Sequence, residues 1–177
     1  MKPENKALTI LKGGNTFILN IETFLMAAIT IGLVGVIFIE VICRYVFFIS
    51  TPWSEELARY LFIWLTYIGS SYALNQGSHI EIDICKQAIE KTRLFKNKER
   101  GLKILEVASI TSTMVFLIIF CKIFWDFMMQ FWSSAQTSPT MHIPMGYIYL
   151  PVLIGCVLSI YHGIYLLVSC LRTRVKA

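Results

Sequence analysis

Long apolar stretches alternate with short polar ones along nearly the whole chain, over about 17–43, 52–74, 104–131 and 145–171. A run of about 20 apolar residues, wound as a helix, crosses a hydrocarbon core of about 30 Å. The pattern therefore predicts an all-α integral membrane protein with four transmembrane helices. These and their connections leave no room for a soluble domain, so residues 1–177 are expected to form a single membrane domain, one small helical bundle. The first stretch is longer than the apolar region of a signal peptide and lacks a small-residue cleavage pattern, so it is expected to persist as a helix.

Within the stretches, the residue types suggest how the helices meet. Ala28 and Gly32 in the first helix have the small-xxx-small spacing that admits a close neighbour, as do Gly69 and Ala73 in the second. Gly155, Ser159 and Gly163 recur every fourth residue in the last helix and predict a narrow groove for a neighbouring helix. Thr51 before Pro52 reads as an N-cap with proline at the first helical position. Glu55 and Glu56 then fall where the helix dipole favours carboxylates. Trp53, Tyr60, Trp64, Tyr67 and Ser71 line one face of the second helix, most simply a packing face. Lys122 and Asp126 are one turn apart and able to pair, within an aromatic belt of Phe124, Trp125, Phe127, Phe131 and Trp132.

The only long polar segment lies between the second and third stretches. There Ile80, Ile84, Ala88 and Ile89 share a helical face, so residues 79–92 predict a short amphipathic interfacial helix in a cytoplasmic loop. The patch Lys96–Arg100 reads as a turn. Lys2, Lys6 and Lys12 precede the first helix, seven basic residues fill the central loop, and Arg172, Arg174 and Lys176 follow the last. Only Arg44, Arg59 and Lys122 lie on the other side, each with a carboxylate nearby. By the positive-inside rule both termini and the central loop are cytoplasmic.

Composition agrees: 56% of residues are hydrophobic and 15% charged, against about 45–50% and about 25% in soluble domains. The net charge of +5 comes from residues flanking the helices, which topology explains better than nucleic-acid binding. Five scattered cysteines offer neither a zinc site nor a disulfide framework. The sequence carries no phosphate loop, H-E-x-x-H or nucleophile elbow, so neither an enzyme nor a cofactor is expected. Of the histidines, His79 and His142 fall in connections on opposite sides. His162 sits alone in the fourth helix and reads as a hydrogen-bonded packing residue rather than a haem ligand. Glu22 and Glu40 interrupt the first helix near its two ends, where a charge costs least. Glu40 can pair with Arg44, and Glu55 and Glu56 can both reach Arg59. Together they suggest a clamp between the first two helices, shared with a partner.

The run Trp53-Ser54-Glu55-Glu56-Leu57-Ala58-Arg59-Tyr60-Leu61-Phe62-Ile63-Trp64-Leu65, then Ile68-Gly69 and His79-Ile80, resembles the small membrane subunit of tripartite ATP-independent periplasmic (TRAP) transporters, the DctQ type. Arg44 closing the first helix, with Ser138-Pro139, Ile143-Pro144 and Leu150-Pro151, is similar to that family too. The resemblance implies a non-catalytic scaffold in the bacterial inner membrane, with Glu40, Arg44, Trp53, Glu55, Glu56, Arg59, Trp64, Gly69 and His79 as clamp or partner interface. It implies as partners a large DctM-type membrane subunit and a periplasmic DctP-type binding protein that delivers an organic acid, such as a C4-dicarboxylate, sialic acid or keto-sugar acid. Coupling sodium ions are then expected on the large subunit and no substrate site in this chain. Because the sequence stops soon after the fourth helix, it is expected to meet the large subunit as a separate polypeptide rather than a fusion. The alternative is a self-contained four-helix transporter acting as a homodimer. The uncharged middle of the first helix, Ala28 to Gly32, favours the scaffold.

Overall fold

The computed structural model describes residues 6–76, 98–134 and 136–173. They form four helices, α1 (Lys6–Tyr45), α2 (Pro52–Asn75), α3 (Lys98–Ser133) and α4 (Met145–Thr173). His79 and the amphipathic segment 79–92 lie outside the described residues.

Two helices begin earlier than hydropathy predicts. Residues 6–16, which precede the first apolar stretch, are the first turns of α1, because helix formation does not require apolar residues on every side. Paired glycines cost about 1 kcal/mol each in a helix interior. Here Gly14 permits a close approach, since a Cβ at that position would stand 2.8 Å from the Tyr161 hydroxyl of α4. Likewise Lys98–Arg100, expected as a turn, is the first turn of α3. Pro52 does open α2, but the Thr51 side chain caps no backbone N–H. Its hydroxyl lies 2.9 Å from that of Ser54, which in turn donates to the Thr51 carbonyl at 2.7 Å.

At the end of α1 the Ile49 N–H reaches back to the Cys43 carbonyl at 2.9 Å, and Phe48 between them has φ 54°. This is the left-handed closure that glycine normally supplies. A side chain in that region costs about 1–2 kcal/mol.

Short turns make α1 and α2, and α3 and α4, antiparallel pairs. Both turns lie at one end of the molecule, called here the turn end. In cross-section α2 packs on α1 and α4, and α4 packs on α2 and α3. α1 meets α4 over a short stretch only, and among the described residues α3 touches neither α1 nor α2. The helices of the bundle thus stand in a row, α1–α2–α4–α3.

Among the described residues three helices are long and apolar enough to cross a membrane, over Leu11–Tyr45, Leu105–Ser133 and Met145–Cys170. α2, with 24 residues and about 36 Å, has the length. Its Glu55, Glu56, Arg59 and serines make it the most polar of the four.

α4 is the centre of the row and supplies Ile148, Val152, Leu153 and Cys156 to the core, with Ile68 from α2 and Met128 from α3. Phe127 and Phe131 of α3 pack on Tyr149, the latter with ring centres 5.2 Å apart. The small residues of α4 face two neighbours rather than one. A Cβ on Gly155 would lie 2.7 Å from the Tyr67 carbonyl oxygen of α2, and one on Gly163 would lie 2.2 Å from the Met114 sulfur of α3. Ser159 between them is buried. Gly32 and Gly69 have more room, their nearest neighbours being Leu61 at 3.8 Å and Met26 at 3.7 Å. The obstacle at Gly155 is backbone, whereas the thioether at Gly163 can swing aside. Gly155→Ala is therefore expected to cost about 1–3 kcal/mol as overpacking does, and Gly163→Ala clearly less. Unfolding of the purified chain in mixed micelles would rank the two variants.

Candidate functional site

Two polar clusters lie at opposite ends of the row. The first gathers at the turn end around Glu56. A carboxylate in the second turn of α2 points toward the α3–α4 turn, and that turn is shaped to receive it. One carboxylate oxygen accepts the N–H groups of Thr140 and Met141 at 3.0 and 3.1 Å, and the other accepts the Tyr60 hydroxyl. Such bonds to an ionised acceptor are about twice as strong as neutral ones.

The turn also holds itself together. Ser138 is fully buried. Its N–H donates to the Ile143 carbonyl at 2.8 Å, and its hydroxyl accepts the Ile143 N–H at 3.1 Å. The Met145 N–H donates to Gln136, and Thr137 bridges Pro144. Beyond this brace the tip carries exposed Pro139, Thr140 and His142.

Arg59 does not share Glu56. It pairs with Glu55 at 3.5 Å, on an exposed flank where both side chains are about two-thirds accessible. Glu56 is diverted because two loop amides offer it a drier site than a solvated guanidinium does. Arg44 pairs with Glu40 at 3.2 Å along α1. Each ion pair therefore lies within one helix, and neither joins α1 to α2. Trp53 is exposed, while Trp64 is half-buried. Lys122 and Asp126 form no ion pair with each other among the described residues.

The second cluster is buried near the other end of the row, where α1, α2 and α4 come together. His162 and Glu22 are both essentially inaccessible. His162 Nε2 lies 3.3 and 3.4 Å from the two Glu22 oxygens, and its Nδ1 is 2.7 Å from Asn15 Oδ1. The Asn15 amide nitrogen donates to Asn75 Oδ1 at 3.3 Å, which leaves its oxygen to accept from the imidazole. Ser71 donates to Glu22 at 2.8 Å. Every buried side-chain polar atom among the described residues has a partner.

His162, read from the sequence as a hydrogen-bonded packing residue, is the hub of a five-residue network drawn from three helices. Asn15 and Glu22 were assigned to a leader and an interface. The sequence did hold a signal, since ionisable residues of opposite type inside two apolar stretches generally pair with each other. Neither cluster resembles catalytic machinery, and the described residues contain no grouping of three potential metal ligands.

The comparisons with known proteins fit this arrangement. Residues 33–173 match the family of tripartite ATP-independent periplasmic transporters, DctQ component. The C4-dicarboxylate TRAP transporter small permease protein DctQ of Rhodobacter capsulatus is 26% identical over 125 residues, covering 71% of this chain and 52% of that protein. The sialic acid TRAP transporter small permease protein SiaQ of Vibrio cholerae is 32% identical over 76 residues, covering 42% of this chain and 44% of its own. The isethionate TRAP transporter permease protein DctMQ of Oleidesulfovibrio alaskensis is 26% identical over 111 residues, or 60% of this chain and 16% of that one. The chain spans about half the length of the small permease relatives and a much smaller part of the DctMQ protein. It is a multi-pass membrane protein built from long helices. It belongs to the DctQ-component family of TRAP transporters, a family of transporter permease subunits rather than enzymes.

Proposed function

We propose that this chain is the small scaffold subunit of a sodium-gradient-driven TRAP importer in the bacterial inner membrane, with four crossings and both termini cytoplasmic. A large DctM-type subunit carries the solute and the coupling sodium ions, and a periplasmic DctP-type protein delivers the solute. The family match over residues 33–173 carries this reading. The DctMQ relative supports the pairing with a large subunit, its name joining the two components in one protein. Relatives named for C4-dicarboxylate, sialic acid and isethionate all handle organic acids, so this chain's system is assigned the same class, with a C4-dicarboxylate, sialic acid or keto-sugar acid as cargo. The turn end then faces the periplasm.

Reconstitution tests the assignment. Proteoliposomes holding this chain alone are expected to take up no organic acid under a sodium gradient. Uptake should appear when the large subunit and loaded binding protein are added. Sodium-driven uptake by the single chain would instead favour the self-contained transporter.

The exposed pair Glu55–Arg59 is the part of the outer cluster free to meet a partner, alongside Trp53. An ion pair this accessible is worth about 0–1 kcal/mol to the fold. Arg59→Ala should therefore leave the isolated subunit as stable as wild type while reducing its co-purification with the large subunit and the transport rate. Unchanged co-purification and transport would remove this pair from the interface.

A further inference from the structure

The turn between α1 and α2 contains a cost that no contact among the described residues offsets. Phe48 occupies the left-handed position of the helix closure, where glycine would be unstrained, and its ring is 87% exposed. Around it Tyr45, Val46, Phe47 and Ile49 are all more than half exposed. No described residue shelters the Phe48 ring. Strained residues persist where something outside the local backbone compensates for them.

The position of the turn indicates what that is. It joins the end of α1 to the start of α2, at the same level as exposed Trp53, Trp132 and Tyr147 on the other helices. Aromatic rings gathered at one level around a set of spanning helices mark a membrane–water boundary. The turn extends that belt. Arg44, one residue before it, is more than half exposed and can reach lipid phosphates while remaining beside Glu40. A turn facing water would gain nothing from five consecutive apolar residues. A rigid protein interface would be expected to bury an anchor ring in a pocket between fixed contacts, whereas Phe48 stands exposed among four other exposed apolar residues.

We infer that residues Tyr45–Ile49 form an interfacial lipid anchor, with the Phe48 ring set among the acyl chains just below the headgroups of the leaflet at the turn end. The ligand class is the glycerophospholipid of the surrounding bilayer. The anchor fixes the depth at which α1 ends. This rests on the proposed topology, which puts the turn end at a membrane face.

Replacing Phe48 with the photoreactive analogue p-benzoyl-phenylalanine tests the inference in membranes that contain the assembled transporter. The position is exposed, so the analogue does not disturb packing. After irradiation, most of the cross-linked product is expected to carry the mass of one phospholipid. A product joined to the large subunit, or no product at all, would overturn the anchor. Alkali washing separates this from failure of the topology: a chain released from the membrane refutes the crossings themselves, whereas an integral chain with a protein adduct refutes only the anchor. As a second measurement, Phe48→Gly removes the ring and the strain together. It should co-purify with the large subunit as wild type does, and loss of that association by a folded variant would place the turn at a protein interface.

Discussion

His162→Ala is expected to cost about 3–5 kcal/mol of stability, the largest loss from any single substitution of a side chain in the row. The imidazole touches Glu22 on one side and Asn15 on the other, and all three are buried. Truncation leaves the carboxylate with Ser71 alone and Asn15 with an unmet acceptor, in a place water does not reach. Removing both members of such a pair costs much less than removing one, because no buried partner is left unpaired. Glu22→Leu combined with His162→Leu should therefore recover most of what His162→Ala loses. Titration with a denaturing detergent, following helix content, would measure all three proteins. Equal stability of His162→Ala and wild type would mean that the network contributes nothing to holding α1. The effect should also be local, since α1 meets α4 only along this short stretch.

Glu56→Ala is expected to free the α3–α4 turn while leaving the helices in place. Two backbone amides and a tyrosine hydroxyl lose their shared acceptor at once. Hydrogen exchange at the amides of Thr140 and Met141 should accelerate by at least about tenfold, the change that follows from losing bonds of this strength to a charged acceptor. Glu56→Gln should fall between, because one amide oxygen can still serve the loop while the amide nitrogen cannot accept from Tyr60. Arg59→Ala provides the contrast, since Arg59 contacts Glu55 and not the loop. If Glu56→Ala and Arg59→Ala changed exchange equally, the brace would be a feature of the whole outer cluster rather than of one carboxylate.

Local features were legible in the sequence and tertiary ones were not. Pro52 and the sequence Ile143-Pro144 restrict the backbone where they stand, and the starts of α2 and α4 agree with the sequence reading to the residue. The beginnings of α1 and α3 were missed because hydropathy reports where lipid starts, while a helix can run on through lysines and, where packing compensates, through glycines. The candidate site divides in the same way. Glu40–Arg44 and Glu55–Arg59 follow from helical spacing. The loop partners of Glu56 lie 84 and 85 positions away, and the partners of His162 140 and 147 positions away. No spacing rule reaches that far. The two buried ionisable residues were visible individually, and pairing them required asking what else could neutralise each.

The order of the helices constrains what this chain can do unaided. A palisade of four rods standing largely side by side has two broad sides and two edges. Among the described residues α1 and α3 make no contact with each other, and α4 stands between them where α1 reaches it. What such a panel does offer is in-plane stiffness. It resists shear along its length because α4 is gripped on both sides, and it can bend about the lines where adjacent rods meet.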